Sequence, residues 1–215
     1  MNLEKEGFAA YIAKLSEASG IAVNSFSAVL EALDARMAFF DSMGCRSADH
    51  GLDYVMYQEA SNEELEAAFR KALAGEALTL HEIEAYKTAV LIHLGRGYAK
   101  YGWVMQLHFG ALRNTNTNMF RKIGPDTGYD CISIHPCTDA LALVLDALEK
   151  TGELPKTIVY SLNPADNQAI DTIIGAFQGA GIRNKIQHGA AWWFNDTKTG
   201  MMEQLTSLAN LSLLS

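Results

Sequence analysis

Residues 103–118 read WVMQLHFGALRNTNTN, and this stretch decides the fold. Trp103 to Leu107 is an apolar, strand-like run that delivers His108. Arg113 follows five residues later and opens a loop rich in Asn and Thr. Enzymes of the α/β class present reactive groups in this way, because their ligands bind beyond the carboxyl ends of the strands, where loops are free to vary. The segment QHGAAWWFND, residues 187–196, repeats the layout, with His188 at a strand end and Trp192-Trp193 just after it.

Towards the C-terminus the pattern alternates. Strands are expected over 103–109, 157–162 and 185–189, followed by helices over 138–150, 166–179 and 199–213. Such alternation predicts a mainly parallel sheet with right-handed crossovers. Residues 110–137 interrupt it with a connection rich in Asn, Thr, Gly and Pro. A loop of that length inside a compact domain is commonly functional, and its place directly after His108 predicts an active-site loop.

Towards the N-terminus the periodicity is helical. Phe8, Tyr11, Ile12 and Leu15 give one apolar face; Phe26, Val29, Leu30, Leu33, Met37 and Phe40 give another, which ends at Gly44. Residues 45–49 are expected to form a short strand. Ser61-x-x-Glu64 and Thr79-x-x-Glu82 are capping boxes, predicting helices to about Leu73 and about Tyr101. In the second of these Ile83, Tyr86, Val90, Leu91, Leu94 and Tyr98 form the stripe to be buried. The whole reads as one domain, 1–215, with 1–44 as a helical lead-in and 45–215 as successive βα units. About four strands are legible, and periodicity alone allows an open four-stranded α/β sheet as readily as part of a barrel.

Composition narrows the classes of function. The chain has 215 residues, 49% of them apolar, and a net charge of −8. It is long enough to bury a substantial core, and its acidity argues against nucleic acid or anionic membrane as a partner, since both need basic patches. Cys45, Cys131 and Cys137 are odd in number and lack C-x-x-C spacing, so they read as reduced thiols. The acidic start, Met1 to Glu6, does not read as a signal peptide, and no apolar run approaches a membrane span. A cytoplasmic setting is expected.

Several long strings carry a family resemblance. They are Cys45-Arg46-Ser47-Ala48-Asp49-His50, Tyr86-Lys87-Thr88-Ala89-Val90-Leu91, QLHFGALRN at 106–114 and Gly124-Pro125-Asp126. Leu154-Pro155-Lys156-Thr157, Tyr160-Ser161-Leu162-Asn163-Pro164 and Trp192-Trp193-Phe194-Asn195-Asp196 complete the set. Together they resemble the middle-to-late portion of the uronate isomerases (glucuronate isomerase) of the amidohydrolase superfamily. The resemblance implies a partial (β/α)8 TIM barrel of about four βα units. It implies an aldose–ketose isomerisation, D-glucuronate to D-fructuronate and D-galacturonate to D-tagaturonate, by proton transfer from C2 to C1. It also implies zinc in the complete enzyme, held by a His-x-His pair on the first strand and an Asp on the last. This chain has no His-x-His and ends at Leu213-Leu214-Ser215, before the closing strand of the resemblance would begin. No metal ligand is therefore assigned, and no cofactor is expected for the chain alone.

Each candidate residue has two readings. His108 is either a histidine satisfied within a strand end or, as the resemblance favours, a group at the substrate, where imidazole serves because it donates and accepts near neutral pH. Arg113 is either a solvated loop arginine or the fork that binds the C6 carboxylate of a uronate. Asp49 either caps a turn or orients a water or substrate hydroxyl, with His50 either packed beneath it or hydrogen-bonding beside it. Trp192 either fills core or offers its ring to the C–H face of a sugar. His81 and His93 read as surface or satisfied histidines on helices, and His135 and His188 stay open. The expected sites are thus catalytic Asp49, His50 and His108, and substrate-binding Arg113 and Trp192. The expected partners are a small-molecule uronate and either a second copy or the missing barrel half. The alternative function is a non-catalytic remnant or assembly partner with at most weak sugar-acid binding.

Overall fold

The computed structural model describes residues 2–179 and 181–211. The expected last turn of the final helix, through Leu213, and the chain-end reading at Leu214 and Ser215 lie outside them. The described residues fall into two compact units. One holds the residues up to Arg46 with Met56–Trp103 and Asp146–Leu154; the other holds Ser47–Val55, Val104–Leu145 and the residues from Pro155 on.

The first unit is built on helices α1 (Phe8–Ser19), α2 (Phe26–Ser42), α3 (Asn62–Ala74) and α4 (Leu80–Tyr101). Both capping boxes form. Ser61 accepts from the Glu64 N–H and Thr79 from the Glu82 N–H, while each glutamate reaches back to its cap residue. Glycines in the left-handed conformation at 75 and 102 end the same two helices, a conformation that costs glycine little. Between the helices lies an aromatic core. Phe8 meets Phe69 and Tyr86 edge-on at 6.0 and 6.1 Å, and Phe26 meets Tyr86 at 5.4 Å. The expected stripe of α4 is buried except at Ile83, which is half-buried. Two residues assigned from periodicity to buried faces, Tyr11 and Phe40, are exposed. Phe40 lies near the end of α2, where Arg36 stacks over it and Phe39, so its ring covers a cation in place of core.

The second unit is a parallel four-stranded sheet, β1 (Ser47–Gly51), β2 (Val104–Phe109), β5 (Thr157–Ser161) and β6 (Ile186–His188), ordered β1-β2-β5-β6. Every neighbour is parallel, and the spatial order follows the chain order without reversal. Helices α6 (Thr138–Glu149), α7 (Asn167–Ala176) and α8 (Lys198–Asn210) follow β2, β5 and β6 along the chain; α7 lies against β6 and α8 against α7. Strand alternation sorts the side chains into two faces. Met105, Leu107, Phe109 and Val159 are fully buried on one; Val104, Gln106, His108, Ile158 and Tyr160 occupy the other and are half-buried.

The connection 110–137 is more ordered than its composition predicts. It contains a two-residue antiparallel ladder, β3 (Ala111–Leu112) with β4 (Cys131–Ile132), and a short helix α5 (Thr117–Ile123). Strands of two residues are too short for alternation to reveal.

Candidate functional site

The candidate site is built at the carboxyl end of β2. His108 leaves the strand on the half-buried face and places its Nδ1 2.6 Å from Asp49 Oδ1. Asp49 pairs in register with Gln106 on the neighbouring strand, so Asp49 and His108 lie on one face, two register positions apart. An ionised carboxylate can only accept. The proton of a neutral His108 therefore sits on Nδ1, and Nε2 carries the free lone pair.

Two aromatic rings fix the imidazole further. Tyr160 of β5 stacks on it with centroids 3.9 Å apart and planes 5° from parallel, and Trp192 meets it edge-on at 4.7 Å. The Tyr160 hydroxyl donates to Gln106 Oε1 at 3.1 Å. Burial, helped by the nearby Asp49 carboxylate, pushes the Tyr160 phenol above its ordinary range, so it stays neutral. The Trp192 indole N–H is buried and has no hydrogen-bond partner.

Arg113 lies where the 110–137 loop begins. Its Nη1 donates to Asp130 Oδ2 at 2.8 Å and to Asp126 Oδ1 at 3.1 Å. Asp130 is buried and also accepts from the Asn114 backbone N–H at 2.7 Å. That backbone bond, aided by Arg113, holds the Asp130 carboxyl below the ordinary carboxylate range against the opposing effect of burial. The Arg113 guanidinium carbon sits 4.9 Å above the Trp193 ring. Trp193 has a φ of 51°, a left-handed conformation that a bulky residue adopts only when its surroundings impose it. Its ring is 5.6 Å from that of Trp192. A continuous row of contacts thus runs from Asp49 through His108, Trp192 and Trp193 to Arg113.

Of the residues expected at the site, Asp49, His108, Trp192 and Arg113 are joined by this row. His50 is not. It pairs with Leu107, on the opposite face of the sheet from His108, and burial lowers its pKa with Asp49 opposing. The expectation that His50 stands beside Asp49 among the reactive groups is corrected by the period-two geometry of the strand, which turns consecutive residues to opposite faces. Tyr160, Gln106 and Asp130 were missed. Gln106 was legible, being two residues before His108 and hence on the same face; Asp130 carries no local signal at all.

His188, left open by sequence, is placed within a buried polar group. Its Nδ1 is 2.7 Å from Asp171 Oδ1, and the other oxygen of Asp171 accepts from the Ser207 hydroxyl. The His188 and Asp171 side chains are 2% and 0% exposed, so this network joins β6, α7 and α8 from within. His93 is satisfied by Asp34 at 2.8 Å, and His135 packs on Tyr54 at 4.2 Å.

Among the described residues, no group of three or more His, Cys, Asp or Glu side chains could hold a metal ion. The histidine–carboxylate contacts present are pairs, and a catalytic zinc needs about three protein ligands. The donors here do not fit that metal. No described helix is long and apolar enough to cross a membrane.

The family model for glucuronate isomerase matches residues 1–215. The chain is 52% identical over 214 residues to the uronate isomerase of Lachnospira eligens and 53% identical over 214 residues to that of Caldanaerobacter subterraneus subsp. tengcongensis; in each case 100% of this chain covers 46% of the relative. The crystal structure of uronate isomerase from Thermotoga maritima superposes with a TM-score of 0.89 at 33% identity, over 99% of this chain and 46% of that one. The glucuronate isomerase structure from Caulobacter crescentus gives 0.84 at 27%, over 99% and 43%. The chain therefore spans less than half the length of the relatives it matches. From end to end of what it does span, it belongs to the glucuronate isomerase family.

Proposed function

We propose that this chain is part of a uronate isomerase that interconverts D-glucuronate with D-fructuronate and D-galacturonate with D-tagaturonate. On this reading its sheet is about four βα units of a (β/α)8 barrel, since parallel strands that follow chain order without reversal are what a barrel wall requires. The single observation that carries the functional reading is the row Asp49–His108–Trp192–Trp193–Arg113. It sets a proton acceptor at one end and a carboxylate-binding cation at the other, with an indole wall between them.

Each group has a task. Asp49 holds His108 with its Nε2 lone pair available, so His108 takes the proton from C2, leaving an enediolate, and returns it at C1, while the O2 hydroxyl proton passes to O1. The Trp192 N–H is buried without a partner, and buried donors are seldom left without an acceptor, so a substrate oxygen that reached it would satisfy it. Arg113 commits Nη1 to Asp126 and Asp130, which leaves the Nε–Nη2 side of its fork for the C6 carboxylate. His50 supports β1 from the opposite face. The resemblance implies zinc in the complete enzyme; the donors described here do not fit it, and no step is derived through it. We expect the chain alone to be inactive, and its sheet edges, β1 and β6, to pair with the remaining strands or a second copy.

A second reading, a non-catalytic partner domain with weak sugar-acid binding, is favoured by one observation: Arg113 is already offset by two carboxylates. Kinetics separate the two. In a complete enzyme containing this segment, Arg113→Lys should weaken uronate turnover by about 2–4 kcal/mol, because lysine keeps the charge and loses the fork. A neutral sugar without the C6 carboxylate should be turned over unchanged, and Arg121→Lys should matter little. Equal losses on both sugars would remove the carboxylate assignment and favour the second reading.

A further inference from the structure

We infer that Tyr160 is a positioning residue for His108 and that Gly189 sets its place. This rests on the proposed role of His108 and adds residues to that site. Three observations converge on the Tyr160 ring. It stacks on the imidazole, 3.9 Å away and 5° from parallel. Its hydroxyl is tied to Gln106, a residue of the same strand and face as His108. Its Cδ1 and Cε1 edge abuts the Gly189 backbone so closely that a Cβ there would stand 2.0 Å from Cε1 and 2.2 Å from Cδ1.

Gly189 cannot withdraw from that contact. Its N–H donates to Val159 O at 2.8 Å, and its carbonyl accepts from the Gln204 side chain, which is itself buried. Nor does Gly189 have a positive φ, so left-handed backbone is not the reason for a glycine. The reason is space for the ring. The consequence passes in order from a backbone fixed at β6, to a phenol ring that cannot rotate away, to an imidazole pressed flat with Nδ1 facing Asp49. A hydrogen bond to Asp49 alone leaves the imidazole free to swing about that bond, and a stacked ring removes this freedom. Small misplacements of a reacting group are expensive.

The test reads the imidazole directly. In the 215-residue chain, proton NMR at low temperature should show a downfield Nδ1–H resonance, assigned to His108 by its loss in His108→Gln. Tyr160→Phe keeps the stack and should keep the resonance. Tyr160→Leu and Gly189→Ala should broaden it away while far-UV circular dichroism stays unchanged. If Gly189→Ala fails to fold, Tyr160→Leu alone decides, because it removes atoms and adds none. A resonance of full strength in Tyr160→Leu would overturn the inference, since Tyr160 would then be filling space only. An unsubstituted chain without the resonance would overturn it too, there being no held imidazole to position. In the complete enzyme, kcat should fall roughly 100-fold for Tyr160→Leu and stay within about 3-fold for Tyr160→Phe. If the resonance behaves as expected and kcat does not change, Tyr160 positions His108 and the proposed catalytic role of His108 is what fails.

Discussion

The helical unit and the sheet unit are held by different means. Among the described residues, the helical unit buries one polar side chain, Thr88, within an otherwise apolar and aromatic core. The sheet unit buries Asp130, Thr157, Ser161, Asp171, Gln204 and Ser207. Buried polar groups are costly unless each finds a partner, and here they gather around strand ends and the segments that follow them. The contrast teaches where the fold holds polar groups in place at the expense of apolar burial. The helical unit needs volume and capping. The sheet unit buries polar contacts, as Asp171 with His188 and Ser207, whereas in the helical unit the long-range pair His93 with Asp34 is exposed.

Crossed substitutions should expose this difference most strongly. Phe69 is fully buried against Phe8, and Phe69→Ala should cost about 3–5 kcal/mol of stability. His108→Gln should change stability by less than about 1 kcal/mol while lowering kcat of the complete enzyme by about 10²–10⁴. Denaturant unfolding and steady-state kinetics on both variants measure this. A His108→Gln chain as destabilised as Phe69→Ala would make His108 a structural residue and erase the contrast.

The same contrast explains what was legible in the sequence. Capping boxes at Ser61 and Thr79, and the apolar stripe of α4, announce themselves within one or two turns, so the helices were placed to within a few residues. The alternation of β2 and the position of His108 at its end were equally local. Arg113 and Trp192 came from motif resemblance and their contacts from the structure. His50 was misplaced because a dipeptide was read as one site, although neighbours on a strand face apart. Asp130, Asp171 and Ser207 lay beyond reach, since a partner 16, 17 or 36 residues distant leaves no trace in local pattern.

A smaller effect sharpens the role of the buried network. Asp171→Asn keeps the volume and one acceptor oxygen but removes the charge facing His188 and Ser207. It should cost about 1–3 kcal/mol, measured by urea unfolding, against about 1 kcal/mol for Thr88→Val in the helical unit. Equal costs would mean that the network joining β6, α7 and α8 is no more demanding than a single buried hydroxyl.

The smallest expected effect is a dependence on pH confined to the loop after β2. Asp130 titrates below the ordinary carboxylate range in the folded chain, chiefly because the Asn114 N–H and then Arg113 favour its ionised form. The unfolded chain therefore binds a proton more readily than the folded one at this position. The resulting stabilisation is complete above the ordinary carboxylate range, near pH ~4, and is lost as pH falls through the lower, folded value. Its size should be about 1 kcal/mol, the net worth of one such contact. Hydrogen exchange of the backbone over 111–132, followed from neutral to acid pH, should show protection falling in that window. Exchange in the middle of α3, beyond the turn capped by Glu64, should not change there, because none of its backbone bonds depends on Asp130. In Asp130→Asn the loop should already be less protected at neutral pH, and the acid step should vanish. If α3 and the loop lost protection together, the unfolding would be global and Asp130 would not be its local cause. If the step survived in Asp130→Asn, Asp130 would not be the group responsible for it.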